Sequence, residues 1–385
     1  MVEQHNVKIV AVQKDYLIRK MAKINFFGDI FSQTGYASHC RQLVNALYKL
    51  NPEIHLECQK PLNWVRHVNS NELAMINNPY YIHETDIMVN LPPFWQQCLA
   101  QKPKHFIGWC VWEVINVPKF WMKYLIDKRV DKIIVPSKHV WNTIDNTCNH
   151  HKDIINKIQI IPHGVNINVF NLNPKPHDKF TFIANKGWAQ GINDRGGIQW
   201  LLKAFCEEFN KENDVELLLK INVAYNHPNW NFANELQNIG ITPEITKNVK
   251  FILQNIDYND LAQLYNQGDV FVSPTMGDAF NLPCLEAMAC GLPVITTNFG
   301  GQTDYVNEQN GYLIDYKLVD VTWDMMYEGN KWAQPDLTHL REIMRYCYTN
   351  KEVIQNHGVL ALNTASLYTW ENSAKQLLDT IHNLE

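Results

Sequence analysis

The sequence predicts an α/β protein made of two doubly wound domains facing one another across a cleft, with a helical tail. Three observations carry this expectation. Short apolar runs rich in Ile, Val and Phe alternate with amphipathic helical stretches from residue 24 onward, the pattern of a parallel sheet covered by helices on both faces. The alternation breaks once, over the polar run 166–179, and then restarts. The chain has 385 residues, more than the roughly 250–300 that a single core accommodates.

In the first half, strands are expected at residues 24–28, 54–58, 86–91, 105–111, 132–136 and 157–162, with a possible extra strand at 7–12. The runs are short and continuously apolar, as in strands buried on both faces. Helices are expected at 37–50 and 137–147, the second capped by Ser137, which follows a proline. The run FNLNPKPHDK, with Pro174 and Pro176, has the composition of an interdomain linker. The pattern resumes with strands at 180–184, 215–222, 249–253, 269–273, 293–297 and 311–315, and helices at 196–210, 258–267 and 283–290. From residue 336 only helices are expected, the last at 370–384. The domains expected are therefore residues 1–168, a linker at 169–179, a second domain at 180–365, and a C-terminal helix at 366–385 packing back towards the first domain.

Composition narrows the function classes. No apolar stretch reaches the roughly 18–20 residues that cross a bilayer, and the N-terminal residues lack the charged, apolar and small-residue succession of a signal peptide. The nine cysteines form no C-x-x-C pair, which argues for reduced thiols in a cytoplasmic protein. Cys110 and Cys290 lie in apolar surroundings and are expected in the core. The net charge of −5 hides an asymmetry: residues 1–165 hold 19 Lys+Arg against 13 Asp+Glu, and residues 166–385 hold 15 against 26. A basic half suits an anionic acceptor or the inner face of a membrane as peripheral contact, or is ordinary surface scatter. No basic run or RNA-binding signature points to nucleic acid.

Chemistry concentrates in SPTMGDAFNLPCLEAMACGLPVITTNFGG, residues 273–301. A strand leads into a loop with Gly277, Asp278, Phe280 and Asn281, and Pro283 then opens a helix, where its missing N–H does no harm. Amides at Asn281, Leu282 and the first turn are expected to point into the cleft as an anion site, with a diphosphate the natural guest. Asp278 and Glu286 stand eight positions apart, and a carboxylate accepting two hydroxyls suits a vicinal diol. In isolation such a pair reads as a capping Asp and a solvated Glu.

The segment resembles the signature of retaining GT-B glycosyltransferases of glycosyltransferase family four (glycosyl transferases group 1), E-G-F-G-L-P-x-L-E-A-M-A-x-G-x-P-V-I. Phe280, Leu282, Pro283, Leu285, Glu286, Ala287, Met288, Ala289, Gly291, Pro293, Val294 and Ile295 match in register. The resemblance implies a GT-B architecture of two Rossmann-like domains. It implies that Glu286 holds the ribose hydroxyls of a nucleotide-sugar donor, that Asp278 meets the donor sugar, and that the Phe280–Asn281–Leu282 backbone faces sugar and phosphates. Two departures stand beside the sugar: Asp278 replaces a Glu and Asn281 a Gly. After the first strand of the second domain the family usually carries G-R and then K-G; here Lys186 stands at the Arg position and Arg195-Gly196 at the Lys-Gly position. Two cations neutralise charge growing on a leaving diphosphate, and the exchange keeps both charges while changing their geometry.

In the first domain, Gly35 precedes a helix, where the family has a glycine-containing loop near donor phosphate or acceptor; a simple turn explains it as well. VPSKHVWNTI and IIPHGVNINVF also resemble family segments; the resemblance implies that His163 with Gly164 shapes the domain exit, and His163 is a further candidate for sugar or acceptor contact. In GWCVWEVINVPKFW, Trp112 and Glu113 follow a strand at a place where many relatives have a sugar-contacting His. Glu113 is then a candidate to stabilise oxocarbenium-like charge or bind a hydroxyl. Trp109, Trp112 and Trp121 can stack on sugar faces or fill the core. Lys220 is a further candidate to face the cleft.

No D-x-D or H-x-E-x-H triplet occurs, and the rings of His150 and His151 diverge, so no metal and no other cofactor is expected. Phosphate-loop, dinucleotide and nucleophile-elbow motifs are absent as well. The function expected is a metal-independent, retaining hexosyl-type transfer from a nucleotide-diphosphate sugar to a glycan, lipid-linked or small-molecule acceptor. A GT-B epimerase or hydrolase, or a non-catalytic nucleotide-sugar binding protein, are the alternatives.

Overall fold

A computed structural model describes residues 21–58, 67–188, 191–223, 230–322 and 325–385. The strand expected at 7–12 lies outside these residues. Two six-stranded sheets form the body. The first contains β1 (Ile24–Gly28), β2 (Ile54–Cys58), β3 (Thr85–Val89), β4 (His105–Trp109), β5 (Lys132–Val135) and β6 (Ile158–Ile160), in the order β2-β1-β3-β4-β5-β6. The second contains β7 (Phe180–Gly187), β8 (Val215–Asn222), β9 (Val249–Ile252), β10 (Val270–Ser273), β11 (Val294–Thr297) and β12 (Gly311–Ile314), in the order β12-β11-β10-β7-β8-β9. Every pairing in both sheets is parallel, so each strand needs a crossover and both faces are covered.

The helices that matter for the site are α1 (Gly35–Leu50), α2 (Lys138–Cys148), α3 (Ile198–Phe209), α4 (Leu282–Ala289), α5 (Leu337–Thr349), α6 (Lys351–Ala365) and α7 (Trp370–His382). Ser137 caps α2, its hydroxyl accepting from the Val140 amide, as its position after a proline predicts. Pro283 stands in the first turn of α4. The run 258–267, expected as one helix, is a short 3₁₀ turn followed by a helix over Leu261–Tyr265. A hairpin of β13 (Tyr316–Asp320) and β14 (Lys331–Pro335) lies in a stretch where no strand is expected, because only part of each strand is buried and the alternating signal is weak. Cys110 and Cys290 are both buried.

The chain crosses between the sheets twice, near residues 162–170 and 366–370. The crossings touch: the Val165 amide donates to the Tyr368 carbonyl at 2.8 Å, and the Ser373 hydroxyl to the Pro162 carbonyl at 2.6 Å. Helix α7 packs on α1, placing Trp370, Ala374, Leu377, Leu378 and Ile381 in the core of the first sheet.

Candidate functional site

The second sheet reverses its direction of winding between β7 and β10, which lie side by side. Connections leave such a point in opposite directions and open a crevice at the strands' carboxyl ends. Lys186 stands at that end of β7, and the loop after β10 brings Asp278 and Asn281 opposite it. Lys186 Nζ lies 3.1 Å from Asp278 Oδ2 and 2.7 Å from Asn281 Oδ1. Asn281 has φ +66°, a left-handed conformation that Asn tolerates better than most residues and that Gly adopts freely. What Asn adds is a side chain, which also donates to Ser273 Oγ at 3.1 Å.

Arg195 approaches from the other side. Its Nη1 donates to the Gly277 carbonyl at 2.9 Å and lies 4.0 Å from Asp278 Oδ2, while its Nε is 3.4 Å from Glu113 Oε1. Glu113 belongs to the first domain, on the stretch following β4, so this ion pair spans the cleft. Tyr327, between β13 and β14, donates its hydroxyl to Glu113 Oε1 at 2.7 Å. Burial works to raise the Asp278 pKa, but Lys186 and Arg195 outweigh it and hold the carboxyl below its ordinary value. Burial likewise works against the Arg195 charge, and Glu113 followed by Asp278 reverses that, raising its pKa. Two cations and two carboxylates thus form one neutral cluster.

Glu286 faces the same cleft from α4. It is 7% exposed, and its Oε2 accepts from the Tyr265 hydroxyl at 2.8 Å; Tyr265 in turn accepts from Asn185 Nδ2 at 3.0 Å. Desolvation pushes the Glu286 carboxyl up to about 7, the Tyr265 bond opposing it. One cavity of about 1370 Å³ is lined by Gly35, Trp112, Glu113, His163, Lys186, Arg195, Asp278 and Glu286. Residues from both domains and residues far apart in sequence are thereby brought together.

Several expectations change in the folded chain. The amides of Asn281 and Phe280 donate to Asp278 Oδ1 at 2.8 and 3.3 Å, and the Tyr305 hydroxyl bonds both their carbonyls. The Cys284 amide is taken by the Asn281 carbonyl, and Pro283 has none, so the start of α4 offers fewer donors to an anion than the sequence suggests. The Phe280 side chain is 2% exposed and packs against His163 and Tyr305. Trp112 is also 2% exposed, stacked on Tyr327 with ring centroids 4.9 Å apart and donating to the Asn116 carbonyl, so its ring is core. Trp109 and Trp121 are core too. A Cβ on Gly35 meets nothing within 4 Å, so close packing is not what calls for glycine there. His163 lies in an aromatic cluster with His39, Trp109 and Trp370, and burial pushes its pKa down to about 3.

Asn185, Tyr265 and Tyr327 escaped the sequence reading. Asn185 stands beside Lys186 in the matched segment but carries no charge to single it out, Tyr265 is a helix residue with no motif around it, and Tyr327 lies in the unforeseen hairpin. Among the described residues, no group of three His, Cys, Asp or Glu side chains is arranged to hold a metal ion.

A paired set of parallel sheets, reversing at a cleft that gathers cations and carboxylates, defines the class, and comparison with solved structures agrees: the architecture is GT-B. A glycosyltransferase from Rickettsia africae superposes with a TM-score of 0.68 over 95% of this chain and 99% of that one, at 16% identity. The Anabaena protein HepE, solved with UDP and glucose, gives 0.66 over 94% of this chain and 100% of that one, at 13% identity. The family model for glycosyl transferases group 1 matches residues 187–322. A curated relative, a D-inositol 3-phosphate glycosyltransferase of Paenarthrobacter aurescens, is 23% identical over 247 residues, 61% of this chain and 54% of the relative. The first curated relatives are matched over 54 to 65% of their own lengths.

Proposed function

We propose that this chain is a retaining glycosyltransferase that moves a sugar from a nucleoside diphosphate sugar to an acceptor hydroxyl, without a metal ion. The observation that carries this is the cluster of Lys186, Arg195 and Asp278 on one cleft wall, met across the cleft by Glu113, with Glu286 lining the same cavity. In this reading Glu286, as a carboxylate, accepts both ribose hydroxyls. Lys186 and Arg195 meet the diphosphate, and Asp278 takes a hydroxyl of the donor sugar once the cations turn to the phosphates. As the glycosidic bond breaks, negative charge grows on the leaving phosphate, and cations fixed beforehand stabilise it without reorganising. Retention follows if the acceptor hydroxyl attacks the face that the phosphate leaves, giving its proton to the departing phosphate oxygen.

The cluster gives these cations carboxylate partners in advance. Buried charges are costly unless paired, so Asp278 and Glu113 keep Lys186 and Arg195 in place until an anion competes for them. Glu113 comes from the opposite domain, and donor binding would loosen that ion pair and leave Glu113 facing the sugar or the acceptor. The acceptor would enter from the basic first domain, and an anionic glycan, a lipid-linked acceptor at a membrane face or a small molecule suits it. UDP, with which HepE was solved, is a natural first probe.

The two roles separate kinetically. Glu286→Ala is expected to weaken nucleoside diphosphate binding in a calorimetric titration. Lys186→Ala is expected chiefly to lower turnover, by about 10²–10³-fold, as for loss of one charge-stabilising donor. Unchanged binding and turnover in both variants would contradict the assignment. Activity that survives EDTA is the matching expectation for metal independence.

A further inference from the structure

The cations at the phosphate end of the cleft are neutralised by Asp278 and Glu113; Lys220 is not. It lies on β8, is 4% exposed and lines the same cavity. Its Nζ donates to the carbonyl of its neighbour Ile221 at 3.0 Å, and no carboxylate among the described residues pairs with it. Desolvation is the one influence on its ammonium, pushing the pKa down. Folded proteins seldom keep a buried ammonium without a counter-charge, because lost hydration is not returned by any partner. A residue retained at such a cost fits a ligand group that supplies the missing acceptor.

Its position says which group. Lys220 is in register with Asn185 on β7, and Leu218 with Ile183 two residues earlier. Leu218 and Ile183 share a core cluster with Tyr265 and Leu285. Side chains alternate along a strand, so Lys220 belongs to the row of Asn185, Tyr265 and Glu286, on the opposite face of the sheet from Lys186. β8 lies one strand further than β7 from β10, the strand whose loop leads into α4, and residues 255–258 beyond β9 line the same cavity. With diphosphate at Lys186 and Arg195 and ribose at Glu286, the part of the donor that continues over β8 is the base.

Resting on the donor reading above, we propose that Lys220 reads the nucleobase, selecting those with a keto oxygen where cytosine and adenine carry an amino group. An ammonium has three donors and no acceptor. It therefore pairs with uracil O4 or guanine O6 and meets an amino group donor against donor. The chain would thus use a UDP- or GDP-sugar and reject CDP- and ADP-sugars.

Titration of the full chain with UDP, CDP, GDP and ADP tests this. The wild type is expected to bind UDP over CDP, or GDP over ADP, by at least about tenfold, the worth of one good charged hydrogen bond. Lys220→Met should erase that preference by weakening the keto nucleotide about tenfold while changing its amino counterpart less than twofold. Lys220→Arg, which keeps the cation, should retain the preference. Without ligand, Lys220→Met should melt no lower than the wild type, since it removes an uncompensated charge, so lost binding is not lost folding. Equal weakening of keto and amino nucleotides, or no change in either, would overturn the role of Lys220 while leaving the donor reading intact. A wild type that binds none of the four would overturn the donor reading and this inference with it.

Discussion

Glu286 shows how one residue would tie the proposed donor recognition to stability. Its carboxyl titrates near pH 7 in the folded chain, against about 4.5 when exposed. The folded state therefore binds more protons than the unfolded state between those values. Stability must fall as pH rises from 4.5 to 7, and it stays reduced above 7. Glu286→Gln is expected to melt higher than the wild type at pH 8, with the gap closing below pH 4.5. A gap independent of pH would show that burial of the charge is not its cause. On the proposed donor reading the same charge is the form that would accept ribose hydroxyls, so nucleoside diphosphate affinity should weaken as pH drops through 7. Much at this scale was legible in the sequence: the Asp278 and Glu286 spacing and the Lys186 and Arg195 exchange name residues that do share a cleft. What was not legible is who neutralises whom. That Asp278 takes the amides of Phe280 and Asn281 depends on the local turn of the loop, and that Glu113 reaches Arg195 depends on a distance between segments more than 80 residues apart.

Among the elements, the loop from β10 to α4 and the stretch after β4 form the contact on which the cleft depends. A Cβ at Gly277 would stand 2.7 Å from the Glu113 carbonyl oxygen, backbone against backbone, with no flexible side chain to yield. The Ser137 hydroxyl bonds the Ala279 carbonyl at 2.7 Å, and the Lys138 amide bonds Asp304 Oδ2 at 2.7 Å. The first of these bonds fixes the same loop against the start of α2, and the second ties that helix start to the 3₁₀ turn Gly301–Asp304. Gly277→Ala is expected to push Glu113 off Arg195 and reduce turnover at least about tenfold, since small misplacements near the chemistry are costly; turnover at the wild-type level would show that this contact does not set the geometry. Strand and helix positions were predictable here because fully buried parallel strands announce themselves as short apolar runs. The hairpin β13–β14 did not, because it carries its ladder on a partly solvated surface, and with it Tyr327 was missed.

Over the whole molecule, two sheets are held facing one another by the two chain crossings and by α7, which returns to the first sheet after α5 and α6 have covered the second. Leu377 is fully buried there, and Leu377→Ala should destabilise the protein by roughly 2–5 kcal/mol. That is seen as a lower denaturant midpoint, and a change below about 0.5 kcal/mol would show the tail to be an ornament. The two-domain plan follows from length and from the single break in the α/β pattern; the closeness of the domains does not, since it rests on individual bonds such as Asn116 to Asn330 and Asn222 to Gln33. The most direct measurement is a calorimetric titration of nucleoside diphosphates into the wild type and into Lys186→Ala/Arg195→Ala. Binding by the wild type that drops at least about 100-fold in the double variant, both proteins being folded, is the predicted result. Equal affinity in the two proteins would mean that the paired cations do not face the phosphates, and the cleft would have to be read anew.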